Sequence, residues 1–229
     1  MQTQIHFNPS FGLLELTLQP GESVSAESSS MVGKDTSIHL ETKAKGGIFA
    51  SLKRAVLGSE SFFVNHFTCK DRPGTLYLAP AISGSVETIS LKDGSGIFIQ
   101  TGSYLASTGT VSVDAKWGGA RTFFSSEGLF VLKATGTGEV YINSYGAIHR
   151  VDLTSSSYIV DTGSLVAWTE NLQYVVTKVG GLKSLFLSGE GLVCRLTGTG
   201  SLWLQSRSPD GLASFLHPFR RVDVRKKGK

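Results

Sequence analysis

The chain has 229 residues, 40% of them hydrophobic and 17% charged, enough to bury one sizeable core. Glycine is raised, at 27 residues or about 12% against roughly 7% in average proteins. No three-residue period exists and Leu, Ile, Val and Phe run throughout, which excludes collagen-like and disordered classes. Of the net charge of +4, residues 220–229 (RRVDVRKKGK) hold six basic side chains and one acid, leaving about −1 on 1–219. The body therefore has no basic bias for a phosphate backbone to read.

The first ten residues, MQTQIHFNPS, contain no basic segment followed by an apolar stretch, and no run approaches 18 apolar residues. The expectation is a cytoplasmic protein with no signal peptide and no membrane helix. Leu14, Leu16 and Leu18 alternate with polar residues, the period of a strand with one face on a core. Ile38-x-Leu40 predicts another strand. Residues 48–57 place Phe49, Leu52 and Val56 on one side and Lys53 and Arg54 on the other, the pattern of a short amphipathic helix. Capping an open end of the barrel is its simplest use; Lys53 and Arg54 are the candidate contact with a partner or an anionic membrane surface. Near the end, Ser208-Pro209-Asp210 supplies an N-cap, a proline at the first helical position and an acid in the first turn. A short helix over 208–217 follows, stopped by Pro218.

Between these points one pattern occurs three times. Leu16–Glu22, Ile97–Ser103 and Tyr158–Ser164 each read apolar alternation followed by a glycine turn. Each is followed by a strand-like alternation and a glycine pair: Gly46-Gly47, Gly118-Gly119 and Gly180-Gly181. An acid at a turn comes next, Glu60, Glu127 or Glu190, then a strand that ends in a glycine turn and resumes. Gly84-Ser85-Val86-x-x-Ile89-x-Leu91 also matches Gly146-Ala147-Ile148-x-x-Val151-x-Leu153. Each copy is too small to bury its own apolar face, and stacking would bury the faces together. The reading is an all-β fold: three internal repeats of short antiparallel strands around a pseudo-threefold axis, of β-sandwich or double-stranded β-helix type, with at most two short helices. Residues 1–219 form one domain, with repeats at about 11–88, 89–152 and 153–207, and 220–229 is a basic tail.

Four stretches make the chain resemble a known family: the Lys-x-Gly-Gly steps at 116–119 and 178–181, the GGIFASLKRAVLG segment at 46–58, and Gly189–Arg207 (GEGLVCRLTGTGSLWLQSR). They resemble the mitochondrial-biogenesis (altered inheritance of mitochondria) family, in its prokaryotic form, over about residues 12–219. The resemblance implies a fold similar to the tryptophan RNA-binding attenuation protein. For the eukaryotic branch it implies a tie to inner-membrane organisation. It brings no catalytic motif, so no residue roles carry over.

Chemistry-bearing patterns are sparse. The five histidines (His6, His39, His66, His149, His217) have no metal-ligand spacing. No G-x-S-x-G elbow or Walker loop is present. Thr135–Gly138 and Thr197–Gly200 look like phosphate loops but lie between apolar strands, and hairpin turns are the better reading. Cys69 and Cys194, 125 residues apart, are read as two buried thiols. Glu60, Glu127 and Glu190 could converge on a cation as a carboxylate set. The preferred reading is structural, each carboxylate accepting backbone N–H groups at its turn. Trp117 with Lys116 and Arg121, and Trp203 with Arg207, are the aromatic–basic neighbours that single-stranded nucleic acid would need, and core or interface packing is the simpler use of both. The sequence thus predicts a non-enzymatic scaffold or assembly factor without catalytic residues, cofactor or metal. It would act as a homo-oligomer and with other proteins, and meet nucleic acid only weakly through the tail. The alternative is a small-molecule or RNA-binding module on the attenuation-protein plan.

Overall fold

A computed structural model describes residues 1–41, 64–92, 94–114, 131–178 and 192–220. Most of the described residues lie in strands. In chain order the strands are β1 (Gln2–His6), β2 (Leu13–Leu18), β3 (Ser23–Glu27), β4 (Met31–Lys34), β5 (Ile38–Glu41), β6 (Val64–Cys69) and β7 (Gly74–Leu78). Next come β8 (Val86–Leu91), β9 (Gly96–Gln100), β10 (Tyr104–Thr108), β11 (Ser112–Asp114), β12 (Val131–Thr135) and β13 (Gly138–Asn143). Last are β14 (Ile148–Asp161), β15 (Leu165–Thr169), β16 (Gln173–Lys178) and β17 (Leu192–Gln205). The alternation in β2 works as expected: Leu14, Leu16 and Leu18 are buried and the residues between them are not.

The described strands form three sheets. One has four strands in the order β1-β2-β7-β4, and a second has six in the order β5-β6-β3-β10-β13-β8. The third has seven: β11-β12-β9-β15-β17-β14, with β16 also on β17. All strand pairs are antiparallel.

The same pairings occur at three places along the chain. β2 pairs β7 with Leu18 opposite Gly74, β8 pairs β13 with Leu91 opposite Gly138, and the first half of β14 pairs β17 with Leu153 opposite Gly200. β3 pairs β6, β9 pairs β12, and the second half of β14 pairs β17, setting Ser23, Gly96 and Ser157 opposite Thr68, Thr135 and Thr197. β5, β11 and β16 flank those same three threonines through His39, Ser112 and Gln173. β4, β10 and β15 pair with β7, β13 and β17, each with a register shift after its first residue: Met31/Gly33, Tyr104/Ala106 and Leu165/Ala167. Side chains follow suit. Asp35 Oδ2 accepts from Thr75 N (2.8 Å), Thr108 Oγ1 from Glu139 N (3.1 Å) and Thr169 Oγ1 from Ser201 N (3.1 Å).

This hydrogen bonding shifts the first copy relative to the sequence alignment. Ile97 and Tyr158 stand where Val24 stands, on β9, β14 and β3, whereas Leu16 corresponds to Ile89 and Val151. The glycine turns explain the offset. Gln19–Glu22 joins β2 to β3, closed by Glu22 N to Gln19 O, whereas Thr101–Ser103 and Thr162–Ser164 are single 3-10 turns leading into β10 and β15. Their counterpart in the first copy is Ser28–Ser30, where no glycine marks the turn.

Neither T-G-T-G segment is a hairpin. β12 and β13, which Thr135–Gly138 connects, lie in different sheets, and Thr197–Gly200 lies inside the continuous strand β17. Gly136 and Gly138 adopt φ of +122° and +149°, a region open to glycine that lets the chain turn from one sheet into the next. Gly84 and Gly146 meet in a parallel bridge. A Cβ on Gly84 would overlap the carbonyl oxygen of Ser144, so the two strand entries approach as backbone alone.

Burial spans the joins between strand sets. Leu14, Leu16, Val24 and Phe67 pack with Leu105 and Tyr141 of the middle set. Ile97, Ile99 and Ile142 pack with Val166 and Trp203 of the last. Phe98 packs on Trp168 (5.3 Å between ring centroids), which meets Tyr174 at 5.4 Å. The C-terminal helix forms as expected: α1 covers Pro209–Leu216, and Ser208 Oγ accepts from Gly211 N at 3.1 Å. It buries none of its residues, and Leu212, Phe215 and Leu216 are exposed. The amphipathic segment 48–57 lies outside the described residues.

Candidate functional site

The sequence candidates Lys53, Arg54, Glu60, Glu127 and Glu190 lie outside the described residues, as do Trp117 and the tail from Arg221 onward. Among the described residues no group of three or more His, Cys, Asp or Glu side chains comes together in a way that could hold a metal ion. Cys69 and Cys194 are free and buried, as expected from the sequence. Burial pushes the Cys194 thiol up to about 12, which leaves it protonated and unreactive at neutral pH.

Among the described residues two places could do chemistry; the sequence singled out Trp203, with Arg207 rather than Arg150, and pointed to neither arrangement. The first is a groove of about 710 Å³ between β8 and the ends of β14, β15 and β17. Its polar wall is built by cross-strand register. Arg150 lies opposite Trp203 and Asp152 opposite Ser201, so the Arg150 guanidinium sits over the Trp203 ring, 5.4 Å from its centroid, a cation–π contact. Arg150 Nε also donates to Asp152 Oδ1 (2.9 Å) and Nη2 to Ser201 Oγ (2.9 Å), and Ser201 Oγ donates to Asp152 Oδ1 (2.6 Å). The Ser201 hydrogen bond, and then Arg150, hold the Asp152 carboxyl below its usual range. Trp203 Nε1 donates to Glu87 Oε1 (2.8 Å), and Glu170 pairs with Lys133 (2.7 Å). Gly96 admits Glu170, because a Cβ there would overlap its carboxylate. Trp203 is buried under this network, so its ring offers no face for a stacked base.

The second place is on β3 and β6. Ser25 lies opposite His66, and His66 opposite Glu41 on β5. Ser25 Oγ and His66 Nδ1 are 2.9 Å apart, within the reach of a nucleophile and its base. Acyl transfer also needs free N–H groups aimed at an oxyanion. Around Ser25 the backbone is occupied on both sides, by β6 and by β10. The signal for this pair was absent from the sequence because 41 residues separate its members, and only strand register joins them.

Residues 3–207 match the family described as Mitochondrial biogenesis AIM24. An uncharacterized protein of Streptococcus pyogenes serotype M6 is 27% identical over 224 residues, covering 94% of this chain and 90% of the relative. The X-ray crystal structure of a Streptococcus pyogenes protein is similar with a TM-score of 0.78 and 26% identity, over 96% of this chain and 99% of that one. The family match extends over most of the sequence, and the chain belongs to the mitochondrial biogenesis AIM24 family.

Proposed function

We propose that the protein is a non-enzymatic scaffold or assembly factor that works through protein–protein contact, with itself and with other proteins. The observation that carries this reading is a pair of sheet edges, β4 and β14, that have no further strand beside them among the described residues and bear exposed Met31, Val32, Tyr158 and Ile159. Open edges with apolar side chains are templates for pairing. The polar groups favour contact over catalysis. Arg150, Asp152, Glu87 and Glu170 are bonded to one another or to neighbours, and among the described residues the strand backbone beside Ser25 is taken up by pairing with β6 and β10.

In the same reading, the three sets of matching pairings are copies of one unit, on a plan like that of the tryptophan RNA-binding attenuation protein. Two free, buried thiols fit a reducing, cytoplasmic setting. Among the described residues no helix is long and apolar enough to cross a membrane. The groove beside Arg150 and Trp203 favours a second reading, a small-molecule or RNA-binding module.

Native mass spectrometry of the full chain purified without added ligand tests the choice. Assemblies made only of protein mass are expected. A stoichiometric metal, metabolite or oligonucleotide mass would overturn the scaffold reading in favour of the second.

A further inference from the structure

Two junctions inside the chain show how one strand set is joined to the next. β3 pairs β10, with Ala26 opposite Ala106, Ser25 opposite Ser107 and Val24 opposite Thr108. β9 pairs β15, with Ile99 opposite Ala167, Phe98 opposite Trp168 and Ile97 opposite Thr169. The register is the same in both. Ala106 and Ala167 each stand just after the register shift of their strand, and Ala26 and Ile99 each stand three residues beyond the pair made with Thr68 or Thr135.

A third junction of this kind would join the second half of β14 to β4. Val160 holds the place of Ala26 and Ile99, and Gly33 follows the register shift of β4. Among the described residues neither strand has that partner. β4 ends the four-stranded sheet and β14 ends the seven-stranded one. Their side chains are bare where their counterparts are covered. Val32 is 63% exposed, against complete burial of Leu105 and Val166; Ile159 is 54% exposed, against 6% for Phe98.

We infer that β4 of one copy pairs with β14 of a second copy of this chain, head to tail, in the register of the internal junctions. Gly33 then lies opposite Val160, Lys34 opposite Ile159 and Asp35 opposite Tyr158. The occupant is a second copy because each edge of the chain is the complement of its other edge: β14 offers what β3 offers to β10, and β4 accepts what β15 accepts from β9. Pairing covers Val32, Tyr158 and Ile159 and takes up the free backbone groups of both edges. The contact is heterologous, so copies add in one direction until they close into a ring or continue as a fibre. This inference rests on the assembly reading and names its partner.

Cysteines placed directly opposite each other on paired strands come within disulfide reach. The K34C/I159C double variant of the full chain, mildly oxidised, is expected to give covalent multimers that reducing agent returns to monomers. K34C alone and I159C alone, mixed in equal amounts, should give a dimer linked through 34 and 159. Unlinked monomer under both conditions would overturn the inference, and so would a 34–159 link within one chain. A variant that leaves the native cysteines alone keeps the test independent of disulfide chemistry. Ile159→Lys, in a side chain that is already exposed, should retain the native circular dichroism and weaken self-association about 30-fold, as expected for loss of an interface anchor. Unchanged association would count against the edge. Protein-only assemblies in native mass spectrometry together with no 34–159 link would remove self-pairing while leaving the scaffold reading in place.

Discussion

Strands β10 and β15 lie inside the molecule and β4 at its margin, although all three take the same place in the pairing scheme and carry the same register shift. The interior strands bury nearly every side chain, including Tyr104, Leu105, Val166 and Trp168. β4 exposes Met31 and Val32. The neighbour, more than the strand's own sequence, decides burial: β3 covers β10 and β9 covers β15, while β4 has nothing on its outer side among the described residues. β9 and β14 differ in the same way. Phe98 is buried against Trp168, and Ile159 at the corresponding place is exposed.

The sharpest way to break this contrast is to delete the same position in both settings. Trp168 packs against Phe98 and Tyr174, so Trp168→Ala should cost about 3–5 kcal/mol in urea denaturation. Lys34, its counterpart on β4, is exposed, and Lys34→Ala should stay within about 0.5 kcal/mol in the monomer. Similar losses at both positions would mean that β4 is as tightly held as the interior.

A smaller effect is expected where two strand entries meet. A Cβ on Gly84 overlaps Ser144 O, so Gly84→Ala should destabilise by about 1–3 kcal/mol, measured by the same denaturation. A neutral outcome would show that the backbone there can move apart.

The inner face of β14 should behave as interior despite the open edge beyond it. Cys194 lies opposite Val160, with its thiol pushed up to about 12 from an ordinary 9 by burial. The native state keeps its proton in the range where the unfolded chain has lost it. Stability from this group is therefore complete below pH 9 and declines as pH rises toward 12, by up to about 1.4 kcal/mol per pH unit. Denaturation at pH 8, 9 and 10 should show a shallower decline for Cys194→Ala than for the parent chain. Equal slopes would mean that β14 opens enough to hydrate the thiol. The smallest effect is expected at the C-terminus. α1 buries no residue, so removing 208–229 should change unfolding stability by about 0.5 kcal/mol or less.

Much of the strand content was legible because alternation such as Leu14, Leu16, Leu18 has one physical cause, a strand with a single buried face. Ser208-Pro209-Asp210 likewise marked its helix through capping chemistry that acts over one turn. Matching of the first copy to the others was misled by local glycine turns. Gln19–Glu22 and Thr101–Ser103 look alike in sequence but join different strands, and only hydrogen-bond register separates them. The T-G-T-G segments failed as hairpins for a related reason: positive-φ glycines turn the chain from one sheet into another at Gly136 and Gly138, and Gly198 sits inside the continuous strand β17. The Ser25–His66 pair and the Arg150–Trp203 network arise from cross-strand neighbours 41 and 53 residues apart, a relation no local pattern encodes. The candidates Lys53, Arg54, Glu60, Glu127 and Glu190 fall outside the described residues, in the segments that link β5 to β6, β11 to β12 and β16 to β17.

Backbone amide hydrogen exchange measured at several protein concentrations reports directly on whether the open edges find each other. Amides of β10 and β15 should be protected at every concentration, and those of 32–34 on β4 and 157–160 on β14 should gain protection together as concentration rises. Exchange at β4 and β14 that does not depend on concentration, whether fast throughout or slow even in the most dilute sample, would contradict pairing between copies.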